Sequence, residues 1–84
     1  MKPVKTIAEI ESSARAAVQA LYGTDIRDFN IRVLFPFPNE HKRDSWDVQV
    51  TFLSNGLQYT VDLIIYEKNG QVVYSRLIDK MFPL

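Results

Sequence analysis

Two Asn-Gly steps, Asn55-Gly56 and Asn69-Gly70, separate runs of alternating apolar and polar residues in the second half of the chain. Asn-Gly accepts the positive φ angles of tight hairpin turns, so the flanking runs pair in a register that can be counted residue by residue. That half therefore reads as three antiparallel strands in a meander. With a tight turn at Asn55-Gly56, Phe52 lies opposite Tyr59, Val50 opposite Val61, Val48 opposite Leu63 and Trp46 opposite Ile65. Every inward pair is apolar, while Thr51 meets Thr60 and Gln49 meets Asp62 on the other face, so turn chemistry and alternation agree.

The second hairpin needs a choice of loop. A tight turn at Asn69-Gly70 alone would set Arg76 against Leu63 on the core face. A loop of Lys68-Asn69-Gly70, with Gly70 left-handed, instead pairs Ile65 with Val73, Leu63 with Ser75 and Val61 with Leu77 inside. On the outside it pairs Asp62 with Arg76, Ile64 with Tyr74 and Tyr66 with Val72.

The first half begins with a helix. Thr6 followed by Glu9 has the form of a capping box, and Ile7, Ile10, Ala14, Ala17, Val18 and Leu21 recur at helical spacing as one apolar stripe. Gly23 supplies the stop. From Ile26 the period becomes two, with Phe29, Ile31, Val33, Phe35 and Phe37 on one side of a strand and Asn30, Arg32, Leu34 and Pro36 on the other. Pro36 and Pro38 place the end of this strand at an edge or already in a loop, because proline cannot donate to a ladder. The expected fold is α+β, one domain over residues 1–84. An N-terminal helix packs on one face of a four-stranded antiparallel sheet, in the order α-β-β-β-β.

Composition removes several classes of function. Ten basic and ten acidic residues cancel, leaving no global field to draw the chain onto phosphate backbones or anionic lipid, so nucleic acid is not an expected partner. The run His41-Lys42-Arg43 is flanked by Glu40 and Asp44 and reads as a solvated loop. The absence of cysteine excludes disulfides, thiolate zinc and thiol catalysis and fits a reducing compartment. No apolar run reaches the ~20 residues that a membrane span needs, and the N-terminus lacks the unbroken apolar stretch of a signal peptide, so a cytoplasmic location is expected.

Chemistry-bearing motifs are missing as well. His41 is the one imidazole and has no second ligand at metal spacing, and each glycine sits where a helix or hairpin must end. Asp47 and Asp62 project from one face, where an open sheet gives little desolvation. The cross-strand partner Arg76 accounts for Asp62, and Asp47 is expected to be solvated. Trp46 reads as a core anchor. Neither an enzyme nor a cofactor is expected.

What the register does specify is a surface. Ile64, Tyr66, Val72 and Tyr74 fall together on the face that the helix leaves open, beside the polar Gln49, Thr51, Thr60, Asp62 and Arg76. Contiguous apolar patches on small proteins tend to be contact sites. The chain is therefore expected to bind a protein through this quartet, first of all a second copy of itself. The competing arrangements have the tail Lys80 to Leu84 folded back over the patch, or the tyrosines lying flat with their hydroxyls in water. A second functional class is a small-molecule or inhibitor domain with a crevice between helix and sheet near Phe35, Phe37 and Trp46.

The strand Trp46-Asp47-Val48-Gln49-Val50, followed by Leu63-Ile64-Ile65-Tyr66-Glu67-Lys68-Asn69-Gly70-Gln71-Val72, resembles PepSY-type and cystatin-like small domains over about the last forty residues. Gas-vesicle accessory proteins have a similar Trp-led strand. The resemblance implies the fold shape alone, since no motif specific to any of these families is present to assign a role.

Overall fold

A computed structural model describes residues 3–82. Helix α1 (Ile7–Tyr22) precedes four strands, β1 (Arg27–Phe37), β2 (Ser45–Ser54), β3 (Leu57–Tyr66) and β4 (Val72–Met81). The strands form one antiparallel sheet in the order β1-β2-β3-β4. The helix starts at the expected capping box: the Glu9 amide donates to Thr6 Oγ1 at 3.2 Å, and Glu9 Oε1 accepts from the Thr6 amide at 3.0 Å. It ends at Gly23, whose φ of 97° suits a residue without a Cβ.

Helix and sheet enclose a core of Ile10, Ala14 and Val18 against Val48, Val50, Phe52, Tyr59, Val61, Leu63 and Ile65. The small Ala14 lets the helix lie close to the central strands. The buried stripe is narrower than the sequence suggests, because Ile7 and Leu21 are 66% and 56% exposed. The residues doing the packing form the row Ile10, Ala14, Val18 and Tyr22, and the Tyr22 ring lies 5.3 Å from Phe52 and 5.4 Å from Tyr59. On the other flank Arg15 sits over the Phe29 ring at 4.7 Å; the helix packs on β2, β3 and the start of β4, where Val72 joins the core, and Leu77 further along β4 is 45% exposed.

The β2–β3 hairpin follows the expected register at every pair, and Asn55 and Gly56 both have positive φ, 54° and 76°. The β3–β4 pairing agrees at Val61–Leu77, Asp62–Arg76, Leu63–Ser75 and Ile64–Tyr74 but departs from expectation near the turn. The loop is one residue longer: Tyr66 N donates to Gln71 O and Gly70 N to Tyr66 O, each at 2.9 Å, which pairs Ile65 with Val72. A bulge at Val73 absorbs the extra residue and restores the register by Tyr74. Val72 therefore turns inward and packs on the core, correcting its expected place on the open face.

A bulge also changes β1. Ile31 pairs with Val50 and Val33 with Gln49, which leaves Arg32 as the extra residue and reverses the faces of everything after it. Phe29, Ile31 and Leu34 pack on the core, while Phe35 and Phe37 are 59% and 38% exposed on the opposite side. The expected single-faced alternation from Phe29 to Phe37 is therefore broken in the middle. No helix among the described residues is long and apolar enough to cross a membrane.

Candidate functional site

The open face of the sheet can be laid out in rows across the strands. The first row is Phe37, Ser45 and Tyr66, and the second is Phe35, Asp47, Ile64 and Tyr74. The third is Val33, Gln49, Asp62 and Arg76, and the fourth is the polar set Asn30, Thr51, Thr60 and Asp79. Two aromatic flanks, Phe35 and Phe37 on β1 and Tyr66 and Tyr74 on β4's side, thus border a lower floor in which Ser45 is buried. Of the expected quartet, Ile64, Tyr66 and Tyr74 lie together on this face and Val72 does not. In its place the β1 bulge contributes Val33, Phe35 and Phe37. The signal in the sequence was the unbroken apolar run Val33-Leu34-Phe35, which strict alternation cannot place on one buried face.

The tail leaves this patch open as far as it is described. Lys80 and Met81 continue β4 opposite Tyr59 and Gln58, and Phe82 is exposed, while Pro83 and Leu84 lie outside the described residues.

Two carboxyls meet on the floor. Asp47 is paired with Ile64 and is thus the diagonal neighbour of Asp62 across the β2–β3 ladder. Burial lifts the Asp62 carboxyl from its ordinary 3.8 up to about 6, a hydrogen bond to Asp47 and the repulsion of that charge push the same way, and the Arg76 guanidinium opposes them. Arg76 stands opposite Asp62 as expected, but the expectations of little desolvation and of a solvated Asp47 are corrected here. Asp62 is partly buried in the sheet and hydrogen-bonds Asp47.

Paired charges stand beside the first row, where Asp44 and Glu67 continue β2 and β3 and Lys68 Nζ lies 5.5 Å from the centre of the Tyr66 ring. Arg43 grips Glu67 through both Nε and Nη2 and stacks over the Trp46 ring at 4.6 Å, and the indole of Trp46 donates to Val4 O at 2.9 Å. Trp46 is a partly buried anchor for the N-terminal segment, with Phe35 and Phe37 on the other side of the sheet, so the three do not line a helix-side crevice as expected. A depression of about 530 Å³ beside Arg43, Asp44, Tyr66 and Lys68 is lined by charges of both signs. Among the described residues no group of three or more acidic or histidine side chains is placed to hold a metal ion, and His41 is exposed beside Glu40.

Helix on one side and aromatic-rich open sheet on the other define a small α+β domain of helix-on-sheet type. Comparison with protein-family models, with curated proteins and with solved structures matched none of them, so the likeness to cystatin-like domains is one of shape.

Proposed function

We propose that this domain is an assembly module that pairs with a second copy of itself, open sheet face to open sheet face. The observation that carries the reading is the two aromatic rows, Phe37 with Tyr66 and Phe35 with Ile64 and Tyr74, held on a side with no helix to cover them. An antiparallel sheet that ends in water is normally polar on its wet side, as the fourth row is here.

Size favours a second copy as the occupant. Four strands about 4.8 Å apart and ten residues long at about 3.3 Å each present a face of roughly 600 Å². A standard interface takes about 800 Å² of accessible surface from each partner, so the whole face, whose side chains add to its flat area, is of the order that a stable pair needs. The face is also compatible with itself. A two-fold axis running along the strands between β2 and β3 keeps each row at its own height, bringing Phe35 over Tyr74 of the second copy and aromatic rows over aromatic rows.

Sedimentation across a concentration series from micromolar to millimolar, in acid and at neutrality, tests this. The expected result is a doubled mass in the wild type and a folded monomer in Phe35→Glu and Tyr74→Glu. A wild type that stays monomeric in every condition, or a dimer indifferent to both substitutions, overturns the reading.

A further inference from the structure

We infer that pairing through this face is gated by the Asp47–Asp62 carboxyl pair, closing while the two share a proton and opening once both are ionised. The inference rests on the assembly reading above. An interface of standard size has to use the whole face, so the third row cannot stay outside it. With the two-fold axis between β2 and β3, each copy's β2 lies over the other's β3. Asp47 then lies over Ile64 of the second copy and Asp62 over its Gln49, and the carboxyls of both copies gather around the axis.

The charged groups around the pair come from β4 and from the exposed bulge residue Arg32 at the β1 edge, two strands from Asp62. From β4 come Arg76, opposite Asp62, and Asp79 one row further on, opposite Thr60. The phenols of Tyr66 and Tyr74 stand on the aromatic side, β1 brings Val33 and Phe35 into the rows alongside, and the helix is on the other face. Each copy therefore supplies one guanidinium against two carboxyls at the centre. With one proton shared between Asp47 and Asp62, the remaining charge is matched by Arg76. With both ionised, excess negative charge is trapped where water has been removed, and unpaired buried charge opposes closure strongly.

Asp62 already keeps its proton to about pH 6 before any partner arrives, and covering the face desolvates it further, which raises its proton affinity in the pair. The closed pair thus binds more protons than two separate chains, and by linkage association weakens as pH rises.

Sedimentation of the full chain at about pH 5 and about pH 8, at one ionic strength, tests the gate. The wild type should dissociate with a constant at least about tenfold weaker at the higher pH, a modest share of what linkage allows. Asp47→Asn combined with Asp62→Asn should pair equally at both. Because imidazoles as a class change charge near neutrality, His41→Gln is included and should behave as the wild type. Circular dichroism checks folding, and if the double variant does not fold, Asp62→Asn alone makes the comparison. A wild-type constant equal at both pH values, a dependence that survives in the asparagine variant, or one that vanishes with His41→Gln overturns the gate and leaves the assembly reading standing. A wild type that is monomeric at every pH overturns the assembly reading, and the gate with it.

Discussion

Gly70 is constrained from two directions. Its φ is 73°, in the left-handed region, and a Cβ built there would meet Ser13 Oγ and Val4 Cγ2, each at 2.8 Å. Gly56 has a similar angle, 76°, with open space around it. Gly56→Ala should therefore cost about 1 kcal/mol, the strain of the left-handed backbone alone. Gly70→Ala should cost about 2 to 3 kcal/mol, because the turn must also move away from the helix. Urea midpoints at unchanged slope would separate the two. Asp62 makes a prediction of the opposite sign. Its folded-state proton affinity is raised, so the stability this carboxyl contributes is full below its ordinary value of 3.8 and is lost as pH rises through about 6. Asp62→Asn should flatten that decline and leave the protein more stable than wild type at about neutral pH, as thermal unfolding across a pH series would read.

At the scale of elements, β1 and α1 differ in how much local pattern says about them. The capping box of α1 is a contact within one helical turn, and Thr6→Ala should cost about 1 kcal/mol by leaving the Glu9 amide without its acceptor. The strand's faces, in contrast, depend on the single extra residue Arg32. If Arg32 is the bulge, Leu34 is a core contact and Phe35 is not. Measured on the monomer at low concentration, Leu34→Ala should then destabilise by about 1 to 2 kcal/mol and Phe35→Ala by less than about 0.5 kcal/mol, the reverse of what unbroken alternation implies. Chemical denaturation of the two single variants decides between them. The same logic explains Val72, which a loop one residue longer than expected turned from the open face to the core.

For the molecule as a whole, coverage is uneven. The helix screens β2 and β3, which carry most of the core, whereas Tyr74, Leu77, Ile78 and Met81 on β4 are each more than two-fifths exposed. Hydrogen exchange should be slowest for the amides of β2 and β3 and faster along β4, which is an edge strand interrupted by bulges at Val73 and Ile78. Those bulges also blunt β4 as an edge for further pairing, which directs association to the sheet's face. In a face-to-face pair the amides themselves stay in their ladders, so protection on assembly should appear as reduced labelling or shifted side-chain resonances of Phe35, Ile64, Tyr66 and Tyr74.

Local chemistry was sufficient for the element order, the helix cap and the whole β2–β3 register, because a capping box and an Asn-Gly turn act over a few adjacent residues and leave the chain little choice. It was also sufficient to bring Ile64, Tyr66 and Tyr74 to one side of the sheet and to set Asp62 beside Arg76. The tertiary structure decided the rest. A bulge shifts every later side chain to the other face at the cost of one unpaired residue, and whether that shift is favourable depends on how a twisted sheet meets its helix, which no window of the sequence contains. The outward Phe35 and Phe37, the inward Val72 and the hydrogen-bonded contact of Asp47 with Asp62 all arise between strands, where the neighbours that set burial and charge are far apart along the chain.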